Sequence, residues 1–234
     1  ASIDLLEPRS GGRYGLGPLG APLVDDHAIA AMVLHHAALY DDLRDPVALR
    51  RGEGAGSDLG RYWPYTEYDA PSQSAEPRVA EYSALMSASQ PLVAAEVLAA
   101  YPLRRHRRLL DVGGGEGRFL AAAARVAPQL QLVLFDLPLV AVLARERLSV
   151  QGLAARVEVV GGDFMVDALP LGADVISLVR VLFDHPDDRV LALLRRVHAA
   201  LPPGGTVLVA EPMAGTPGAA RRGDAYFGFY LLAM

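Results

Sequence analysis

Three carboxylates and an aromatic residue stand where parallel strands would gather them at one edge of a sheet. Asp111 leads into glycines at positions 113, 115 and 117, Asp136 follows the next apolar run, and Asp163 precedes Phe164. A carboxylate at the end of a parallel strand can accept hydrogen bonds from both hydroxyls of a ribose, and a glycine turn lets backbone approach a ligand. A carboxylate beside an aromatic ring suits an adenine. The pattern therefore predicts a site for an adenosine-bearing ligand.

The glycine run does not match a dinucleotide-binding fingerprint. That fingerprint needs glycines at i and i+2 and a glycine or alanine at i+5. Arg118 and Leu120 occupy the i+5 positions counted from Gly113 and Gly115. The spacing Asp111-x-Gly-x-Gly-x-Gly117 resembles instead that of the S-adenosyl-L-methionine-dependent methyltransferases, in which the turn passes under the methionine end of the cofactor.

The elements that must position these residues alternate between strand and helix, which predicts a doubly wound parallel α/β sheet. We expect strands at 108–112, 131–135, 156–160, 174–178 and 206–210. We expect helices at 116–126 and 138–150. A third helix should run to about residue 201, and either Asp187 or Asp188 could cap its start. The first hundred residues have another pattern. They predict a hairpin across Gly11 and Gly12, an apolar helix over 27–40, a loop over 51–58 and a helix over 78–100.

The amino-acid composition excludes several classes of catalytic site and argues against some partners. The chain has 234 residues, no cysteine and no lysine, which excludes disulfides, thiolate or Schiff-base catalysis and the lysine of a P-loop. A net charge of −5 argues against a nucleic-acid partner. His35 and His36 are adjacent on a helix and point about 100° apart, so no metal site is expected. No membrane-spanning run or signal peptide is visible, which favours the cytoplasm.

Four motifs in order resemble the O-methyltransferases of the caffeate and acetylserotonin type. They are Asp111-Val-Gly-Gly-Gly-Glu-Gly117, Phe135-Asp-Leu-Pro138, Gly161-Gly-Asp-Phe164 and Leu201-Pro-Pro-Gly-Gly-Thr-Val-Leu-Val-Ala-Glu211. Earlier in the chain, Gly12-Arg-Tyr14 and Pro18-Leu-Gly20 are similar to the wing of the winged-helix dimerisation domain in that group. The resemblance therefore spans nearly the whole chain.

The resemblance implies a cofactor, a set of contacts and a homodimer that forms through the N-terminal helices. It assigns S-adenosyl-L-methionine to Asp111, Gly113, Gly115, Gly117, Asp136, Leu137, Asp163, Phe164 and Arg180. It assigns the methyl acceptor to Tyr82, Met86, Gln90 and Phe183. The implied domains are a partial winged-helix region over 1–60, a helical connector over 61–100 and a methyltransferase domain over 101–234. Both ends fall inside segments with the pattern of structured elements, so we expect a longer protein whose last strands lie beyond this chain.

One departure from the family concerns the general base. The family has a histidine in a His-Asp-Trp segment, whereas Phe183 holds the histidine position here and His185 the tryptophan position. A phenol with a pKa near 10 costs about 4 kcal/mol to ionise at pH 7, which is why a base is usual. Either His185, Asp184 or Glu211 accepts the proton from a shifted position, or deprotonation follows methyl transfer. Glu211 matches an acid that supports the base in the family.

The C-terminal segments narrow the expected acceptor. Ala210-Glu-Pro-Met-Ala-Gly-Thr-Pro-Gly-Ala219 and Gly223-Asp-Ala-Tyr-Phe-Gly-Phe-Tyr230 resemble the bacterial carotenoid O-methyltransferases, which methylate the tertiary hydroxyl of hydroxyneurosporene or demethylspheroidene. This resemblance implies an apolar hydroxylated acceptor, reached from the cytoplasm or at the surface of the inner membrane. The alternatives are a bacterial phenol or polyketide O-methyltransferase and a winged-helix regulator with an inactive methyltransferase domain.

Overall fold

A hairpin and a series of short helices precede a larger sheet flanked by helices. The computed structural model describes residues 4–52, 57–62, 76–183, 185–217 and 220–234, and the side chains of residues 25, 27, 61–62, 76–84 and 220–222 lie outside this description. Within it, no helix is both long enough and apolar enough to cross a bilayer.

The N-terminal part begins with the predicted hairpin. Strand β1 (Leu6–Pro8) pairs antiparallel with strand β2 (Tyr14–Leu16), and Gly11 between them has a φ of 69°, which favours glycine. The helices described after the hairpin are α1 (Ala21–Asp25), α2 (His27–His35), α3 (Ala37–Asp42), α4 (Pro46–Arg51) and α5 (Asp58–Tyr62).

The single helix predicted over 27–40 is wrong, because the backbone turns between α2 and α3. The turn lies at His36, which has a ψ of −3°, and the His36 N–H donates to the carbonyl oxygens of Met32 and Leu34. The start of α2 is capped by Asp26, whose carboxylate accepts from the N–H groups of Ala28 and Ile29.

After helix α6 (Glu76–Ala100) the chain alternates strands and helices as predicted. The elements that follow are β3 (Arg108–Val112), α7 (Arg118–Val126), β4 (Gln131–Asp136), α8 (Pro138–Val150), β5 (Val157–Gly161), β6 (Val175–Val179), α9 (Asp187–Ala200), β7 (Thr206–Ala210) and α10 (Ala220–Ala233). In the described residues the strand order is β5-β4-β3-β6-β7, and all neighbouring pairs are parallel. The doubly wound α/β fold is confirmed.

Apolar packing on both faces explains why most residues of these strands are hydrophobic. On one face, helices α6, α7 and α8 bury Ala94, Phe119 and Leu148 against the sheet. On the other face, α9 buries Leu193 and Val197. Burial of each large side chain contributes about 2 kcal/mol. The sheet is therefore rigid, and the residues that follow its strands are held in place.

The start of α9 differs from the sequence prediction. The N-cap is Pro186 without a side-chain cap, and Asp187 and Asp188 lie in the first turn. Their negative charges still interact favourably with the positive end of the helix dipole.

Candidate functional site

The carboxyl ends of the strands form the candidate site, on either side of β3. The chain passes from β3 to β4 and β5 on one side and returns to β6 and β7 on the other. In open α/β sheets, ligands bind at this change of direction. The glycine turn, Asp136, the segment at 163–164 and Arg180 all lie at this edge.

The three positive-φ glycines of the turn differ in whether packing excludes a larger side chain. All have positive φ, at 68° for Gly113, 55° for Gly115 and 78° for Gly117. A Cβ at Gly113 would lie 2.8 Å from Val181 Cγ2, and one at Gly117 would lie 3.0 Å from Leu148 Cδ1. Tight packing therefore already explains Gly113 and Gly117. Among the described residues, a Cβ at Gly115 would meet no atom within 4 Å, so Gly115 presents its backbone to open space.

Asp136 connects the glycine turn to the end of β4. Its Oδ2 accepts from the Gly115 N–H at 2.7 Å, and its Oδ1 accepts from the Leu137 N–H at 2.7 Å. Burial raises the pKa of Asp136 to about 6, although those two hydrogen bonds act to lower it. Each carboxylate oxygen can accept a second hydrogen bond. The partly exposed carboxylate thus fits the two hydroxyls of a ribose.

Asp111 does not face the site, which corrects its assignment as a cofactor contact. Its side chain is buried, and its Oδ1 accepts from Ser177 Oγ at 2.6 Å on the neighbouring strand β6. Burial raises the pKa of Asp111 to about 7, the Ser177 hydroxyl opposes this, and the nearby charge of Asp136 adds to it. Its Oδ2 lies 2.8 Å from the Cβ position of Gly114. Asp111 therefore supports the glycine turn from inside the sheet.

Asp163, Phe164 and His185 lie together at one side of the site. Asp163 Oδ1 accepts from the Met165 N–H at 2.7 Å, and the rings of Phe164 and His185 meet edge to face with centroids 5.6 Å apart. Burial and the charge of Arg189 lower the pKa of His185, whereas Asp163 raises it. The imidazole therefore lies beside the two residues that are predicted to bind the adenine. This position argues against His185 as the relocated base.

Arg180 connects the end of β6 to helix α6. Its Nη1 donates to Ser89 Oγ at 2.8 Å and to Gln90 Oε1 at 3.3 Å, and its Nη2 donates to Met86 Sδ at 2.7 Å. Arg180 has a φ of 60°, a left-handed conformation that costs an ordinary residue about 1 kcal/mol. The predicted cofactor residue Arg180 thus contacts two predicted acceptor residues, Met86 and Gln90.

A second charged network holds the glycine turn against α6, and sequence reasoning missed it. The buried carboxylate of Glu116 accepts from Ser87 Oγ at 2.8 Å and pairs with Arg147 at 2.7 Å, and Arg118 Nε donates to Ser87 Oγ at 2.7 Å. The acidic residue inside the glycine run was the signal that could have indicated it. The network fixes the turn between α6, α7 and α8.

Phe183 lies in an aromatic cluster contributed mainly by α10, which we name the α10 cluster. The ring of Phe183 stacks on Tyr230 with centroids 6.5 Å apart and meets Phe227 edge to face at 6.2 Å. Met86 from α6 and Tyr226 belong to the same hydrophobic cluster. The hydroxyl of Tyr230 is hydrogen-bonded to His35 Nε2 at 3.1 Å. The α10 cluster is an apolar environment next to Arg180.

Glu211 follows β7 and supports the segment that leads to Phe183. Its Oε1 accepts from the N–H groups of Val181 and Leu182, each at 2.7 Å. Its Oε2 is buried and has no hydrogen-bond partner among the described residues. Burial raises the pKa of Glu211, whereas the backbone N–H groups of Leu182, Val181 and Phe183 and the charge of Arg180 oppose that shift.

Two predicted residues lie outside the described part of the structure. Asp184 is not described, and of Tyr82 only the backbone, on α6, is described. Apart from Asp111, which points into the sheet, the other predicted residues occupy two adjoining regions. One is polar, around Gly115, Asp136, Phe164 and His185, and the other is the α10 cluster. Arg180 and the segment 181–183 lie between them, so the arrangement can hold an adenosine-bearing molecule beside an apolar one.

Comparison with known proteins gives a family match and close relatives. Residues 40–234 match the model of an O-methyltransferase domain. The chain is 50% identical to demethylspheroidene O-methyltransferase of Cereibacter sphaeroides over 234 residues, and 44% identical to that of Rhodobacter capsulatus over 235 residues. All of the chain is covered, but only 61% and 57% of these relatives, so the chain spans about three fifths of their length.

A solved structure supports the same fold. It is the O-methyltransferase NcsB1 from neocarzinostatin biosynthesis, in complex with S-adenosyl-L-homocysteine and 1,4-dihydroxy-2-naphthoic acid. The match has 29% identity and a TM-score of 0.65, and it covers 99% of this chain and 70% of the solved chain.

Proposed function

Because the chain belongs to the O-methyltransferase domain family, we propose that it binds S-adenosyl-L-methionine and transfers a methyl group to a hydroxyl of an apolar small molecule. The acceptor we propose is a hydroxylated carotenoid, with the methyl group going to a tertiary hydroxyl. The observation that carries the choice of acceptor is the 50% identity to demethylspheroidene O-methyltransferase over the whole chain. The α10 cluster supports it, since long apolar molecules bind by burying area.

The polar region fits the proposed cofactor in the chemistry of its groups. Asp136 offers two acceptor oxygens for the ribose, Phe164 and His185 offer ring surface for the adenine, and Gly115 leaves open space beside the backbone. When bound, S-adenosyl-L-methionine supplies an electrophilic methyl group on a sulfonium. The residues of this chain hold and orient the hydroxyl and exclude water, and Arg180 fixes α6 relative to the cofactor region.

The N-terminal part completes the proposal. We propose that residues 1–60 form a partial winged-helix region, that 61–100 connect it to the methyltransferase domain at 101–234, and that the chain forms a homodimer through its N-terminal helices. The exposed side chains of Val33, Leu34 and Tyr40 would be covered in that dimer. An apolar acceptor also favours access to substrate at a membrane surface.

The function is tested by binding and by transfer of a labelled methyl group. Calorimetry with the intact protein should show binding of S-adenosyl-L-methionine, and methyl-labelled cofactor should label a tertiary hydroxycarotenoid. Simple phenols and hydroxylated naphthoates serve as competing acceptors, with products identified by mass spectrometry. Absence of cofactor binding would contradict the proposed activity and favour an inactive regulator. Labelling of the phenols alone would contradict the carotenoid assignment and leave the methyltransferase assignment intact.

The placement of His185 predicts an effect on cofactor affinity rather than on chemistry. His185 lies beside Phe164, and replacing it with Gln removes a ring that we propose packs on the adenine. Such an aromatic contact contributes about 1 kcal/mol. We expect the Kd for S-adenosyl-L-methionine to rise about fivefold, with the single-turnover rate at saturating cofactor nearly unchanged. Calorimetry and rapid-quench assays measure the two quantities. A large loss of rate with unchanged Kd would instead restore His185 as the base.

A further inference from the structure

The segment from Val181 to Phe183 places a buried, unpaired carboxylate oxygen next to the proposed acceptor region. Glu211 uses Oε1 to accept from the N–H groups of Val181 and Leu182. Its Oε2 is buried without a hydrogen-bond partner among the described residues. A buried carboxylate oxygen left unpaired costs free energy, so its retention calls for a partner that arrives with a ligand.

The side chain of Phe183 offers that oxygen no partner, although the Phe183 backbone N–H lies close enough to the carboxylate to lower its pKa. Phe183 stands at the position where the resemblance places a histidine, and a phenyl ring has no N–H to donate. Its ring packs instead on Phe227 and Tyr230. The carboxylate that would have oriented an imidazole is therefore available to the acceptor itself.

The other acidic or basic groups near the site are occupied elsewhere. Asp136 binds the glycine turn, Asp111 binds Ser177 inside the sheet, His185 packs on Phe164, and His35 is hydrogen-bonded to Tyr230. Arg180 is the charged side chain that acts on Glu211 in the described part of the chain, and its guanidinium favours the ionised carboxylate.

We propose that Glu211 Oε2 accepts the proton of the hydroxyl that is methylated, directly and without a histidine. The inference rests on the proposed function. A lone pair of the hydroxyl oxygen forms the new bond to the methyl carbon, and the bond from that carbon to sulfur breaks with its electrons left on sulfur. The proton of the now positively charged oxygen passes to Glu211 Oε2.

A carboxylate is a sufficient base for this order of events. A tertiary alcohol is too weak an acid to be ionised first by any side chain. Once the methyl group is attached, the oxygen carries two carbon substituents, a proton and a positive charge, and that proton is strongly acidic. Methyl transfer also moves positive charge from sulfur onto that oxygen. In an apolar environment an adjacent ionised carboxylate stabilises that charge strongly.

Replacing Glu211 with Gln tests the proposal. Gln keeps a carbonyl oxygen for the N–H groups of Val181 and Leu182 and removes the acceptor at the second position. We expect the single-turnover rate to fall about 100-fold, while the Kd for S-adenosyl-L-methionine and the melting temperature stay close to those of the unaltered protein. Glu146→Gln, at an exposed position on α8, is the matched control and should leave the rate unchanged.

The pH dependence gives a second readout. The unaltered protein should lose rate below the raised pKa of Glu211, because only the ionised carboxylate accepts the proton. In Glu211→Gln this loss of rate at low pH, the acidic limb of the pH–rate profile, should disappear. A rate for Glu211→Gln within threefold of the unaltered protein, or an unchanged acidic limb, would overturn the proposal. If Asp184→Asn removed the limb instead, Asp184 would be the acceptor and the proposal would be wrong.

A third readout does not depend on activity. In Phe183→His, proton NMR should show an introduced imidazole whose pKa lies above the ordinary 6.5, because Oε2 of Glu211 accepts from it. Adding Glu211→Gln should lower that pKa. An imidazole pKa that does not respond to Glu211→Gln would show that Oε2 does not face position 183 and would overturn the inference. Failure of the unaltered protein to bind cofactor would instead count against the proposed function.

Discussion

Replacing Asp136 with Asn is expected to weaken the binding of S-adenosyl-L-methionine roughly 1000-fold, equivalent to about 4 kcal/mol. The carboxylate accepts from Gly115 and Leu137 and has two acceptor directions left for ribose hydroxyls. Hydrogen bonds to a charged group contribute about 1.5–3 kcal/mol each. An amide supplies one acceptor oxygen. Its NH2 group therefore faces a backbone N–H, that of Gly115 or of Leu137, and one ribose hydroxyl loses its charged acceptor.

The same carboxylate predicts how cofactor binding depends on pH. The pKa of Asp136 is raised to about 6 in the protein, and a ribose needs the ionised form as acceptor. Binding should therefore weaken by up to tenfold for each pH unit below about 6, and it should be constant above about 7. In Asp136→Asn this dependence should be absent.

The raised pKa also has a consequence for stability. A carboxyl group whose folded-state pKa lies above its unfolded value favours folding while it is protonated, and this contribution is lost as pH rises through about 6. At pH 8 Asp136→Asn removes the cost of burying an ionised carboxylate, which offsets the backbone hydrogen bond that the amide cannot accept. The melting temperature should therefore change little. Calorimetric Kd values and thermal unfolding at several pH values measure both effects. Glu146→Gln, at an exposed position on α8, is the control for both measurements. A Kd for Asp136→Asn within tenfold of the control would contradict the ribose assignment.

The strands could be predicted almost residue by residue because each has about five residues, most of them apolar, in a chain that otherwise shows helical patterns or turn residues. The pattern at 108–112 and 206–210 matches β3 and β7, and the strands that begin at 157 and 175 start one residue later than predicted. Buried parallel strands have this pattern because helices cover both faces. The α/β fold therefore follows from local sequence.

The direction of each site residue could not be predicted because it depends on which strands become neighbours. Asp111 lies opposite Ser177 only because β6 pairs with β3, and that register turns its carboxylate into the sheet. Likewise, Gly113 and Gly117 pack against Val181 and Leu148, which are distant in sequence. Spacing places residues at an edge, but long-range packing decides which of them face a ligand.

At Gly115, unlike the other glycines of the turn, contacts within the described part of the protein do not exclude a side chain. This predicts a second large effect on cofactor binding. Gly115→Ala should weaken S-adenosyl-L-methionine binding roughly 1000-fold, or about 4 kcal/mol. Its Cβ would meet no atom of the described residues within 4 Å, so the substitution leaves the packing of the protein intact. The space that the Cβ enters is the space we assign to the cofactor, which would have to shift and lose its hydrogen bonds to Asp136.

Gly172→Ala separates this effect from backbone strain. Gly172 also has a positive φ, 89° against 55° for Gly115, and a Cβ there would likewise meet no described atom within 4 Å. Gly172 lies in the turn before β6, at the opposite edge of the sheet from the glycine turn. Both substitutions should lower stability by about 1–2 kcal/mol, the cost of a left-handed alanine. If only Gly115→Ala loses cofactor affinity, the loss comes from occupied space. Equal affinities in the two variants would mean that the cofactor does not lie against Gly115, and the assignment of the polar region would have to be abandoned.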